Sequence, residues 1–245
     1  MVFGRAGALM AAFPLFSAQN VPVLLRLGLA GMTAFLLSPL LPAIPAADPS
    51  LWVFIRLLAG EVGCGLLLGF ICRFVFFALD LAGGLLSTEI GLMLSPSFNP
   101  FASTTTGPPA MILYWLAMMI LLGFDMHHWI LAAFKRSYDF LPVGGGAPSP
   151  ALLSDIVIRS SGIFQIALQL CAPLMAVSFV LTLLFSLLSR VVPQMNVFAE
   201  SLPIRVLAGM AAFGLTTNLM AQQILNYLLR LPEDMLHVAK LFGAR

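Results

Sequence analysis

Residues 51–81 read LWVFIRLLAGEVGCGLLLGFICRFVFFALDL, a strongly apolar run that nonetheless carries Arg56, Glu61, Arg73 and Asp80. A helix crossing a bilayer core about 30 Å thick needs about 20 mostly apolar residues, so the run is long enough to cross. Its charges, with Glu89 just beyond, recur too closely for a helix bathed in lipid. Charged side chains at membrane depth normally face a bundle interior, a wet cavity or one another. Arg73 and Asp80 can instead mark helix ends and reach out to the interface. Glu61 has apolar residues on both sides and does not fit that escape. The run therefore reads as a membrane-associated helix covered by other protein.

Further windows of the same kind lie on either side. Residues 27–47, 160–189 and 206–229 are free of charge between flanking charged residues, as is 90–124, whose apolar part is 110–124. A shorter piece, 6–16, starts the chain. Arg5 before it resembles the basic flank of a signal peptide. Pro14 within the run, and bulky Phe16 three residues before a cut after Ala18, argue for a retained short helix. Five to six hydrophobic helices in a single domain, 1–245, are expected. The fold class is all-α and polytopic.

Composition agrees. The chain has 245 residues, 60% hydrophobic and 9% charged, with a mean hydropathy of +1.02. A soluble domain carries about 25% charged residues, so a water-soluble monomer is excluded. A net charge of +2 offers no basic field for nucleic acid. Ten of the twelve basic residues are Arg, which suits paired, multi-bond contacts. Cys64 and Cys72 lie eight apart, roughly 12 Å along a helix, too far for a disulfide. With Cys171 they read as small packing residues.

Prolines recur at the ends and inside the windows, at Pro14, Pro22, Pro39, Pro42, Pro45, Pro108, Pro109, Pro173, Pro193 and Pro203. Each removes a backbone donor. In hydrocarbon the orphaned carbonyl needs protein or trapped water, so several helices should be broken and packed against protein. Asn218, Gln222 and Asn226 share one helix face, as do Ser178, Thr182 and Ser186. Gly65-x-x-x-Gly69 and Ala208-x-x-x-Ala212 are small-residue pairs that let backbones approach. Either these rows join helices, or they meet a hydrated conduit or partner subunits.

Signs of chemistry are missing. There is no G-x-x-x-x-G-K-[ST] and no G-x-S-x-G. His127 and His128 are adjacent, do not match H-E-x-x-H, and have no nearby Cys to complete a metal set; they read as interfacial histidines at a helix end. The chain is expected to be no enzyme and to need no cofactor.

The most specific local pattern is Ser189-Arg190-Val191-Val192-Pro193-Gln194-Met195-Asn196-Val197-Phe198, followed by Ser201-Leu202-Pro203-Ile204-Arg205. It resembles the R-x-x-P-Q-M-N-x-F…P-[IL]-[KR] segment of the FliR family, whose virulence counterpart is SctT. Phe13-Pro14-Leu15-Phe16-Ser17, Val21-Pro22 and Arg26 resemble its first stretch. Glu61, Gly69, Gly83, Glu89 and Gly91 resemble the second. Asp125-Met126-His127-His128, then Ser137 and Leu141-Pro142-Val143-Gly144, resemble the third. The family commonly has Asn-Gly-His where Asp125-Met126-His127 stands, and often Asp-Pro in place of Asn99-Pro100.

The resemblance implies a non-enzymatic core subunit of a type III export gate in the bacterial inner membrane, at a flagellar basal body or injectisome base. FliP-like and FliQ-like subunits, an FlhB-like switch protein and unfolded export substrates are the implied partners. Met195, Val197 and Pro203-Ile204-Arg205 lie slightly closer to the flagellar branch. The competing reading is a small secondary transporter with substrate near Glu61 and Arg73, although no internal repeat supports it.

Two segments are expected to act. Residues 190–205 form an inter-subunit joint, with Arg190, Pro193, Gln194, Asn196, Phe198, Pro203 and Arg205 as its residues and the two prolines keeping both flanks non-helical or kinked. Residues 94–109 hold no charge, four prolines and a Ser/Thr run. They form a channel plug in which Phe98, Asn99, Pro100 and Phe101 close a constriction. Ser103, Thr104, Thr105 and Thr106 would satisfy local backbone groups there.

Overall fold

A computed structural model describes residues 1–17, 21–41, 50–92, 107–145, 149–192 and 197–243, with side chains at 197–199 excepted. The described residues form α1 (Val2–Ala12), α2 (Pro14–Ser17), α3 (Val23–Leu37), α4 (Leu51–Ile90), α5 (Pro108–Gly123), α6 (Met126–Phe140), α7 (Pro150–Val191) and α8 (Val197–Gly243). A 3-10 turn, Ser38–Leu40, follows α3. Four helices are long and apolar enough to cross a membrane, or five if the bent pair α5 and α6 counts as one. The protein is all-α and membrane-embedded.

Several boundaries follow proline chemistry. Phe13 is extended (φ −69°, ψ 129°) ahead of Pro14, because a proline ring clashes with a helical residue before it. Pro22 caps α3 in an extended conformation. Ser149 accepts the Leu152 N–H at 3.2 Å, and Pro150 follows as the first residue of α7, the arrangement that satisfies one orphan donor and presets φ. Other prolines depart from expectation. Pro173 and Pro203 both lie inside continuous helices. One missing rung does not end a ladder whose neighbouring rungs remain. Helix α8 thus begins at Val197, so Pro203 is in its second turn and does not block helical entry.

Charge also fails to end helices. The 51–81 run continues to Ile90, giving α4 40 residues and about 60 Å of length, twice a bilayer core. Helices α7 and α8, with 42 and 47 residues, likewise outrun the windows 160–189 and 206–229. Helix α3 starts and stops earlier than 27–47.

The chain groups into two compact units. The first comprises Met1–Phe76, Leu121–Ser161 and Tyr227–Arg245; the second comprises Phe77–Ile120 and Gly162–Asn226. In the first, α1 lies on α4 at Gly65 and Gly69, where a Cβ would overlap the Arg5 carbonyl and the Ala8 and Ala12 methyls. The small-residue pair read from the sequence is thus an interhelical contact. In the second unit Gly83 admits the Ala110 backbone and Gly209 admits Ile90. All three cysteines are buried and free.

Candidate functional site

The centre of the first unit is ionic. Arg5 and Glu61 are 0% and 1% exposed. Nε and Nη2 of Arg5 donate to Oε2 and Oε1 of Glu61 at 2.8 and 2.9 Å, the two-pronged geometry that a planar guanidinium favours. Nη1 and Nη2 also donate to the Leu141 carbonyl at 3.1 and 3.2 Å, and Nη1 reaches Ser137 Oγ at 3.5 Å. The Gly144 N–H donates to Glu61 Oε1 at 2.8 Å. Gly144 can do so because it holds φ +82°, open to glycine without steric cost. The Tyr138 ring lies 3.9 Å from the guanidinium carbon. Every prong of the pair is engaged, as a buried charge requires.

This cluster ties α1, α4, α6 and the 141–144 turn together. It also removes the reason for placing a transported substrate at Glu61, whose carboxylate holds three donors and is sealed from solvent. Arg73 is half-buried and lines a recess of about 360 Å³ with Ala11, Ala12, Leu66, Leu67 and Phe70. Arg56 and Asp80 are exposed.

A second ionic joint in this unit holds the start of α7 against the end of α8. Arg159 meets Asp155 and Asp234, both at 2.6 Å. Ser149 Oγ donates to the Leu241 carbonyl at 2.8 Å.

The second unit handles its charges differently. Ser178 Oγ donates to half-buried Glu89, Thr182 Oγ1 donates to the Ser178 carbonyl at 2.9 Å, and Arg205 Nη2 donates to Thr182 Oγ1 at 3.0 Å. The Ser178–Thr182 part of the row is therefore a ladder joining α4, α7 and α8. Among the described residues neither Glu89 nor Arg205 meets an opposite charge, and Arg205 Nε is buried without a hydrogen-bond partner. Asn218, Gln222 and Asn226 are exposed along α8.

The loop expected to plug a channel, with Phe98, Asn99, Pro100, Phe101, Ser103, Thr104, Thr105 and Thr106, lies outside the described residues. Its base does not. Helix α4 ends at Ile90, Gly91 follows with a φ of +85°, and Gly107 lies against Ser87, one helical turn from Gly91. Of the expected joint, Pro193, Gln194 and Asn196 also lie outside the described residues, as does the Phe198 side chain. Arg190 sits exposed in the last turn of α7 and Pro203 is exposed on α8.

Sequence reasoning missed Arg5. It stood where a basic flank is expected, and its partners Leu141 and Gly144 contribute backbone atoms that leave no residue signature. The available signal was charge balance: Glu61, flanked by apolar residues, calls for a cation, and Arg5 stands at the start of a short apolar piece.

Several helices long and apolar enough to cross a membrane, one of them holding Glu61 of a sealed Arg–Glu pair, define a polytopic membrane protein. The family model for bacterial export proteins, family 1, matches residues 1–231, and the chain belongs to that family. Among curated relatives, the flagellar biosynthetic protein FliR of Escherichia coli (strain K12) is 29% identical over 220 residues, covering 89% of this chain and 83% of that protein. FliR of Caulobacter vibrioides is 29% identical, covering 89% and 87%. The Yop proteins translocation protein T of Yersinia pestis is 28% identical over 208 residues, covering 84% and 80%.

Proposed function

We propose that this protein is a non-enzymatic core subunit of a type III export gate, of the flagellar kind, and forms part of the path by which unfolded substrates cross the bacterial inner membrane. The match across residues 1–231 carries the reading, and supports treating the whole chain as one export-gate domain. FliP-like and FliQ-like subunits and an FlhB-like switch protein are its partners in this reading. The surface supports a need for partners. Only 22% of the most apolar window is buried in α7 and again in α8, and 6% in α3, against 61% in α4. Apolar faces this open, on α7 and α8 along about twice the bilayer thickness, suit subunit contacts as well as lipid.

Residues 94–109 are the plug in this reading, and the support is the base of that segment. Gly91 and Gly107 stand within one helical turn of each other at the end of α4. Residues 190–205 are the inter-subunit joint, supported by the charge on Arg205 that no described residue neutralises. Expression with the neighbouring export-gate subunits should yield a stable multi-subunit complex, and expression alone should yield aggregate or degradation. A monodisperse, stable monomer in detergent would overturn the subunit reading. Removing 99–106 should leave the complex assembled but leaky to ions; an assembled deletion complex with unchanged conductance would refute the plug.

A further inference from the structure

We propose that Asp125, His127 and His128 form a divalent transition-metal site, of the zinc, cobalt or nickel class, at the bend between α5 and α6. This stands apart from the export reading. The two helices meet at 73° across a two-residue break, and Asp125 makes the turn with φ 54° and ψ 25°, a left-handed conformation that few residues other than glycine adopt. A residue at the helix N-cap normally has an extended backbone and bonds its side-chain oxygen to an N–H two or three positions on. Asp125 does neither: its side chain makes no cap hydrogen bond. The carboxylate is turned instead toward the imidazoles, with Oδ1 3.7 Å from His128 Nδ1. That is too long for a hydrogen bond but a natural separation for two atoms awaiting a common centre.

The histidines complete the set. Their ring centroids are 4.1 Å apart. One nitrogen from each ring and one Asp125 oxygen lie within 4.8 Å of one another. Donors around a tetrahedral zinc, each about 2.0–2.1 Å from it, stand about 3.4 Å apart. Asp125 and His128 are exposed, so their side chains are free to rotate toward a shared ion. His127 Nδ1 is buried with no hydrogen-bond partner among the described residues, so none of them holds that nitrogen. His127 also walls a small apolar recess with Leu9, Met10, Phe13 and Ile130, and such a shell shields a bound ion from competing water. Two neutral imidazoles and one carboxylate match the preference of these metals for nitrogen with some oxygen. The carboxylate also offsets the partial positive charge of the α6 N-terminus, which alone disfavours a cation. Three protein donors leave a fourth position to water. The sequence reading set these histidines aside because it looked for the i, i+4 pattern of a regular helix; the left-handed turn at Asp125 supplies the third donor instead.

The test uses the full chain purified with its partner subunits, stripped with chelator and titrated with Co2+ and Zn2+. One Zn2+ per copy and a Co2+ d–d absorption band are expected. His127→Ala with His128→Ala should abolish both. Asp125→Asn keeps the size and shape of the side chain and should weaken binding by at least about tenfold, the scale on which metal-site substitutions act. His237→Ala, which removes a distant imidazole paired with Asp155, should bind as the parent does. Uptake of the same Zn2+ with the same affinity by the double-histidine variant, or no uptake by the parent protein, overturns the site.

Discussion

The Arg5–Glu61 cluster and the Glu89–Arg205 ladder are two answers to the same difficulty, a charge far from water. In the first unit the chain closes the account itself, since five bonds from Arg5 and three to Glu61 leave neither group short. In the second, Glu89 receives one hydroxyl and Arg205 gives to one hydroxyl, and among the described residues neither meets an opposite charge. A saturated pair marks a region that is finished when the chain has folded. Charges on half-buried positions with one hydroxyl each leave room for further contacts, which is what the proposed subunit role requires.

The sharpest way to break this comparison is to remove one member of the saturated pair. Arg5→Leu or Glu61→Leu should each destabilise the protein by about 3–5 kcal/mol, because each strands an unpaired buried charge. Lower accumulation and a lower melting temperature of the assembled complex would report it. The double substitution to leucine should recover much of the loss. If single and double variants behave like the parent, the cluster is not what holds the first unit.

Smaller effects sharpen the picture. Gly65→Ala forces α1 away from α4 and should cost about 1–3 kcal/mol by overpacking, read by thermal unfolding of the complex. Gly144→Ala keeps the N–H to Glu61 but imposes a side chain at φ +82° against Leu57. It should cost about 1–2 kcal/mol in the same measurement. Thr182→Val removes only the hydroxyl that Arg205 reaches and should cost about 0.5–1.5 kcal/mol. Its larger consequence should be a reduced yield of complex. A Thr182→Val loss as large as that of Arg5→Leu would erase the distinction between the two regions.

Much of this was legible in the sequence because hydrocarbon leaves few options. The 51–81 run had to be a protein-covered helix, and Glu61 had to have a partner. Prolines 14, 22 and 108 marked true helix boundaries. Prolines 173 and 203 did not, since proline costs one rung and the sequence does not reveal whether the surrounding rungs survive. Charged residues also misplaced helix ends: Asp80 and Arg73 sit on the side of α4 without interrupting its hydrogen bonds. At the site, side chains carry a signature and backbone atoms carry none. Glu61 was visible, whereas the Leu141 carbonyl and Gly144 N–H that complete its cluster became evident only in three dimensions. The unusual backbone of Asp125, which alters the meaning of His127-His128, was equally hidden.

The order in which the ribosome makes these groups gives the Arg5 cluster a temporal side. Arg5 precedes Glu61 by 56 residues and Leu141 by 136. At about 5–20 residues per second, Glu61 is synthesised roughly 3–11 s after Arg5, and Leu141 about 7–27 s after it. Until Glu61 is made the first helix carries an uncompensated cation, and until Leu141 follows the guanidinium lacks its backbone acceptor. The opening segment therefore gains its full set of partners only after residue 141 has been made.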